Sequence, residues 1–311
     1  MKGRVYKSTG SWLEVKLENG ESLPCKVKGK FRLKGIRSTN PIAVGDWVEI
    51  ERVDDGTGVV KKLIPRNNYL IRKSVNLSHR AQILASNIDQ VILLVTLKQP
   101  ETTLGFIDRI LCSAEAFHIT PVLLFNKIDL LEEEEMGRLA EWMELYEQVG
   151  YRCEAISVEK GVNLDVVKEL MTDKTSTISG HSGAGKSSLI NALDPNLDLK
   201  VKAISTYHKQ GVHTTTFAEM FDLDFGAQII DTPGIRGFGV LDIDRSELSH
   251  YFLEMRELLS DCKFNNCQHI NEPGCGIKKG LVEGRVAESR YFNYLDIYEE
   301  DKSENYRGTD Y

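Results

Sequence analysis

The sequence predicts a multidomain chain: an N-terminal small β-barrel, a central α/β P-loop domain whose motifs are circularly permuted, and a C-terminal α-helical module around a cysteine cluster. Three observations carry this. Short alternating runs fill roughly the first sixty residues, buried apolar runs alternate with 3.6-period segments through the middle, and three cysteines and a histidine lie within Cys262 to Cys275. With 311 residues, 41% hydrophobic and 27% charged, the composition is that of an ordinary globular protein. The longest apolar stretch, Val91 to Leu97, is far short of the roughly 18 residues that cross a bilayer, and the N-terminus lacks a signal-peptide core. A cytoplasmic protein without a membrane partner is expected, as a monomer.

In the first module Trp12-Leu13-Glu14-Val15-Lys16-Leu17, Cys25-Lys26-Val27-Lys28 and Asp46-Trp47-Val48-Glu49-Ile50 alternate in the manner of half-buried strands. About five such strands with glycine turns fit an OB-fold barrel, and an SH3-like barrel fits nearly as well. Net charge is −7, yet residues 1–73 hold sixteen Lys and Arg against eight Asp and Glu, so the rest of the chain carries −15. A basic module on an acidic protein suggests a polyanion such as RNA, whose counterions are released on binding. A solvated basic face is the bland alternative. The expected boundaries are 1–70 for the barrel, 71–82 for an aperiodic linker, 83–239 for the nucleotide domain, 240–300 for the helical module and 301–311 for a disordered tail.

The middle of the chain reads as a parallel sheet covered by helices, with strands at Val91 to Leu97, Pro121 to Asn126, Cys153 to Ser157, Ser176 to Gly180 and Ala227 to Asp231. Leu104, Ile107, Ile110, Leu111, Ala114 and Phe117 form a helical stripe. Each motif below follows one of these strands, where α/β proteins bind ligands.

Gly180-His181-Ser182-Gly183-Ala184-Gly185-Lys186-Ser187, continuing to Ser188, is a phosphate loop. Its glycines let backbone N–H groups face the phosphates at a helix N-terminus. Lys186 would neutralise β- and γ-oxygens, Ser187 would ligate Mg²⁺, and Asp231 of Asp231-Thr232-Pro233-Gly234 would reach that ion through water. Asn126-Lys127-Ile128-Asp129 has the pattern that selects guanine. The Asp129 carboxylate accepts two hydrogen bonds from the ring N–H and exocyclic amine, a donor pair adenine lacks. Asn126 would hold the loop, Lys127 would lay its stem along the base, and the backbone near Ser157 and Val158 would donate to the base oxygen. This loop precedes the phosphate loop, whereas in an ordinary GTPase it follows, which is the signature of circular permutation.

Gly211-Val212-His213-Thr214-Thr215-Thr216 lies where the first switch supplies a threonine to Mg²⁺ and the γ-phosphate. Thr215 is the choice among three near-equivalent hydroxyls. Ile235 stands where many GTPases carry a water-orienting glutamine and cannot polarise water. His213 then either positions the nucleophile or merely anchors the loop, and a low intrinsic rate is expected. Two rivals stay open: a GTP-gated RNA-binding scaffold in which hydrolysis is incidental, and an ATPase or kinase, against which Asp129 argues.

Cys262-x4-Cys267-x-His269-x5-Cys275 supplies three thiols and an imidazole, a closed tetrahedral set suited to one structural Zn²⁺. Lys263, Lys278, Lys279, Arg285 and Arg290 nearby could add a second RNA contact. Cys25, Cys112 and Cys153 are solitary and read as core.

Taken together, the permuted order, the phosphate loop, the Gly211 to Thr216 switch, Asp231 to Gly234 and the cysteine cluster flanked by Glu272-Pro273-Gly274 resemble the bacterial ribosome small-subunit-dependent GTPase A family. The resemblance spans about Val5 to Leu295. It implies an OB-fold, a permuted GTPase domain and a zinc-binding domain with ligands Cys262, Cys267, His269 and Cys275. It further implies GTP hydrolysis stimulated by the small ribosomal subunit, late in that subunit's maturation, with its rRNA as partner and GDP as product. Ser157-Val158-Glu159-Lys160-Gly161 departs from the small residues the family often has there.

Overall fold

The computed structural model describes residues 1–9, 12–27, 41–53, 56–73, 81–197, 218–231 and 244–300. The chain forms two compact units, one of Met1–Ile92, Gly161–Ser179 and Gly185–Gly237, the other of Leu93–Lys160, Gly180–Ala184 and Phe238–Tyr311.

In the first unit β1 (Lys2–Ser8), β2 (Trp12–Leu17), β3 (Ser22–Val27), β4 (Trp47–Arg52) and β5 (Gly58–Leu63) form a barrel. Period-two alternation drives it: along β2, Leu13, Val15 and Leu17 are buried between exposed or half-buried neighbours. They join Val5, Leu23, Cys25, Ile42, Val48, Ile50 and Val60 in the barrel core. The strands run β1-β2-β3-β5-β4, with β1 also pairing β4 to close the ring. That order, with β3 and β5 parallel, is the OB arrangement and resolves the choice against an SH3-like barrel.

β1 does not stop at the barrel. Its register shifts between Val5 and Lys7, and beyond this bulge Lys7 pairs with Glu219 of β12 (Glu219–Asp222). β12 is antiparallel to β13 (Gln228–Asp231), which runs parallel to β11 (Thr175–Ser179). The predicted parallel sheet is therefore mixed, because β12 reaches β1 by an antiparallel turn that the sequence reading passed over. Polar contacts fasten this join: Arg4 donates to Gln228 at 2.6 Å and to the Asn87 carbonyl at 2.9 Å, and Tyr6 and Lys16 converge on Asp222.

Of the stretch 71–82, read as a linker, residues 71–73 and 81–82 are strand residues, and 74–80 lie outside the described residues. β6 (Tyr69–Lys73) and β7 (Ala81–Ser86) form an antiparallel ladder whose register shifts at Leu70 and Ile71, which breaks the alternation a sequence scan relies on. The same unit contains the start of the fully buried β8 (Gln90–Val95), α3 (Leu164–Met171) and α4 (Lys186–Leu193).

In the second unit the end of β8 is followed in sheet order by β9 (Thr120–Phe125) and β10 (Arg152–Ala155). α1 (Leu104–Ala116) starts at Thr103, whose hydroxyl accepts the Phe106 N–H, and it buries Ile107, Ile110, Leu111 and Ala114 as the stripe predicts. α2 (Glu133–Val149) opens with a Glu132/Glu135 capping box and ends at Gly150. Downstream, α5 (Leu253–Arg256), α6 (Gly276–Val282) and α7 (Glu288–Glu300) surround a core of Leu248, Phe252, Met255, Leu258, Ile277, Val286, Tyr291 and Tyr294. Among the described residues, no helix is long and apolar enough to cross a membrane. Residues 301–311, read as a disordered tail, lie outside them.

The described part of the basic module is less available than its composition suggests. Arg4 is 8% exposed, and Arg66 is paired with fully buried Asp46. Lys7, Arg52, Lys61 and Lys62 face Glu219, Glu21, Glu51 and Glu49. Those exposed pairs are worth about 0–1 kcal/mol each and open at little cost. Five further cations of the module, from Lys28 to Arg37, fall outside the described residues.

Candidate nucleotide site and metal centre

The guanine loop begins where β9 ends, and its conformation is fastened by its own side chains. Buried Asn126 spends both ends of its amide: Nδ2 donates to the Ala184 carbonyl of the phosphate loop at 2.9 Å, and Oδ1 accepts the Val158 N–H at 3.2 Å. One residue thus ties together the guanine loop, the loop after β10 and the phosphate loop. Lys127 adopts φ 67° and donates from Nζ to the Gln99 carbonyl. Asp129 is exposed, and one of its carboxylate oxygens accepts the Ser157 hydroxyl, whose oxygen in turn accepts the Lys160 N–H at 3.1 Å. The sequence reading used only backbone near Ser157 and missed this hydroxyl, which aims the carboxylate. A serine at the end of a strand opposite an Asn-Lys-x-Asp loop was the available signal.

The phosphate loop follows β11. Gly180 has φ 138°, and a Cβ there would lie 2.6 Å from the Leu94 carbonyl oxygen, inside van der Waals contact. Gly180→Ala is therefore expected to cost about 1–3 kcal/mol, read as a lowered melting temperature of the nucleotide-free protein, with GTP binding weakened in parallel. Gly183 at φ 86° approaches Pro100, and Ala184 N–H closes the turn onto the His181 carbonyl at 3.2 Å. His181 is half-buried, its ring stacked on Phe106 with centroids 4.0 Å apart, while Ser182 is exposed.

In the other unit Gly185 at φ 104° precedes α4, which starts at Lys186 and presents Ser187 and Ser188 as exposed residues of its first turn. Asp231 ends β13, half-buried. His213, Thr215, Gly234 and Ile235 lie outside the described residues.

The four cysteine-cluster residues do come together. The ligand atoms of Cys262, Cys267, His269 and Cys275 all lie within 4.8 Å of one another. His269 Nδ1 is 3.6 Å from Cys262 Sγ and 3.5 Å from Cys275 Sγ. In a tetrahedral zinc site with bonds of about 2.3 Å to sulfur and 2.0–2.1 Å to nitrogen, the S···N edge is about 3.6 Å. The donor set can therefore hold zinc. Outer contacts orient it: Ser249 Oγ is 3.2 Å from His269 Nε2, so Nδ1 is the atom turned to the cluster. Backbone N–H groups of Gly276 and Lys278 donate to Cys262 and Cys275 sulfurs. The Glu272 carboxylate accepts from Gln268, Ile270 and Asn271 N–H groups, and Tyr291 and Tyr294 hydroxyls donate to the His269 and Gln268 carbonyls. None of this outer shell was read from the sequence. By contrast, burial raises the solitary thiols of Cys25 to about 11 and of Cys112 and Cys153 to about 12, which keeps them neutral core residues.

Arg290, grouped above with surface cations, is 1% exposed. Its guanidinium donates to Asp108 at 2.6 Å and forks onto Glu254 at 2.7 and 2.8 Å, so it is structural and cannot meet RNA. Lys278 donates to the Ile270 carbonyl, and Lys279 and Arg285 both face Glu283. Of the five cations, Lys263 alone has a side chain with no ion pair or hydrogen bond among the described residues, its ammonium lying over the ring of half-exposed Phe264.

A guanine loop locked to a phosphate loop that follows it in the chain, a closed barrel before them and a Cys3His cluster after them define a circularly permuted GTPase with an appended module whose cluster can hold a metal. Family models agree: that for the RsgA N-terminal domain matches residues 2–60, and that for the RsgA GTPase matches residues 63–241. The chain belongs to the RsgA GTPase family and is a GTP hydrolase. It is 58% identical over its full length to the small ribosomal subunit biogenesis GTPase RsgA of Christiangramia forsetii, covering 99% of that protein. Against the protein of the same name from Bacteroides fragilis (strain YCH46) it is 49% identical, over 99% of each chain. Among solved structures it is similar to YjeQ from Thermotoga maritima, with TM-score 0.80, 36% identity and coverage of 98% of this chain and 99% of that one. It also resembles YloQ, a circularly permuted GTPase, with TM-score 0.76, 28% identity and coverage of 98% and 96%.

Proposed function

We propose that this chain is a cytoplasmic, monomeric GTPase that docks on the small ribosomal subunit, acts late in its maturation and hydrolyses GTP faster when docked. The observation that carries the reading is the full-length identity to relatives named for small-subunit biogenesis. The guanine loop held against the phosphate loop by Asn126 supports the nucleotide half of it. In this reading the barrel of residues 1–70 and the zinc module of 240–300 meet rRNA. One structural Zn²⁺ is held by Cys262, Cys267, His269 and Cys275. Mg²⁺ enters with GTP on Ser187 and Thr215, with Asp231 reaching it through water.

Because Ile235 replaces a water-orienting glutamine, unstimulated turnover is slow, and docking completes the site around His213. Hydrolysis then acts as the release step. The test is GTP turnover by the purified protein, alone and with small subunits, with ATP as control. A rise of about 10³-fold or more on subunit addition, in the range that completing a GTPase site supplies, with ATP ignored, supports the switch. His213→Ala is then expected to remain on the subunit with GTP bound. GTP-dependent binding with unchanged turnover favours the scaffold reading to which Ile235 lends weight.

A further inference from the structure

Four residues near the start of α1 reach the phosphate loop on one side and α7 on the other, within one compact unit. Phe106 stacks on His181 of the phosphate loop, the ring planes 27° from parallel. Gly105 lies so close to α7 that a Cβ there would be 3.4 Å from Asn293 Oδ1. Asp108, buried, accepts hydrogen bonds from Arg290 and Asn293 of α7 and from the Tyr146 hydroxyl. Arg109 forks onto Glu300 at the end of α7. Helix α7 in turn holds the metal loop, Tyr291 and Tyr294 donating to the His269 and Gln268 carbonyls.

The two ends of this chain of contacts differ in stiffness. At the metal end a buried guanidinium is shared by two carboxylates and lies 4.8 Å from the Phe252 ring centroid, so slippage would strand charge in a dry interior. At the nucleotide end a half-buried phenyl ring meets a half-buried imidazole, a contact of dispersion and stacking that can shift. Between them, α1 is one helix of 13 residues with a packed apolar face. Close-packed elements move as bodies between discrete arrangements, so displacement of one end is felt at the other.

We propose that α1 couples the phosphate loop to the zinc module, with Phe106 the positioning residue at the nucleotide end. The shape of the loop and the placement of α7 set one another through Phe106, Asp108 and Arg290. This route needs nothing of the segment after Asp231. It requires only that the chain bind guanine nucleotide, and it stands whether or not a ribosomal subunit stimulates turnover.

Hydrogen exchange of the full-length protein tests it, with and without GDP at concentrations that saturate each variant. In the wild type, GDP is expected to slow exchange in the phosphate loop and to change the rates of α1 and α7 amides by about threefold or more. In Phe106→Ala the loop stays protected while α7 exchanges at its nucleotide-free rate. Phe106→Leu, which keeps apolar bulk without the ring, serves as the uncoupled variant if Phe106→Ala fails to fold, and Phe106→Tyr restores the response. Exchange in α7 indifferent to GDP in the wild type overturns the proposal, as does a wild-type response in the uncoupled variant.

Discussion

Asp129→Asn is expected to convert the guanine site into a xanthine site. The carboxylate offers two acceptors to the ring N–H and exocyclic amine of guanine, and an asparagine opposes that amine with its own N–H₂. Losing the amine's hydrogen bond to a charged acceptor, at about 1.5–3 kcal/mol, weakens GTP by about 10–10²-fold, and the opposed N–H₂ groups weaken it further. Xanthine carries a carbonyl where guanine carries the amine, so the new amide donates to it while its oxygen still accepts the ring N–H. The Ser157 hydroxyl that now donates to Asp129 finds an acceptor in the asparagine oxygen as well, so the side chain stays aimed. Competition binding with GTP and XTP reads the outcome. A variant that still prefers GTP would mean that Asp129 does not face the base.

This prediction was open to sequence reasoning because Asn126 to Asp129 is contiguous and follows an apolar run. The same holds for the sheet: β8, β9 and β11 announce themselves as apolar or β-branched segments, and the phosphate loop by its glycine spacing. What stayed hidden depends on partners far away in the chain. Arg290 sits in a polar, aromatic-rich stretch where an arginine ordinarily faces water. Only Glu254, 36 residues back, and Asp108, 182 residues back, make its burial affordable. Basic residues of β1 looked like an RNA face because their acceptors on β12 and β13 lie more than 200 residues on. The ladder of β6 and β7 was lost because a bulge shifts its period. Local pattern identifies elements and motifs, whereas pairing between distant polar side chains is written only in the fold.

Stripping zinc is expected to have the largest structural effect of any single perturbation. Apparent binding energies of structural zinc reach about 10–16 kcal/mol at neutral pH, as large as the whole 5–15 kcal/mol stability typical of a domain. The loop from Cys262 to Cys275 holds little apolar mass of its own. N–H groups of Gly276 and Lys278 aimed at sulfur suit thiolates. Without metal, burial lifts the Cys267 thiol to about 12 and raises that of Cys275, so these two thiols are neutral and the Lys278 N–H faces a weak acceptor. Chelation, or Cys267→Ser, should therefore free the amides of residues 262–283 to exchange at near unfolded rates. α7 should hold longer, since Arg290 and Asn293 remain bonded to Asp108 of α1. Protease nicking confined to 262–283 would give the same answer independently. If chelation leaves that segment protected while a reductant releases it, the cysteines are joined to each other and the cluster is no metal site.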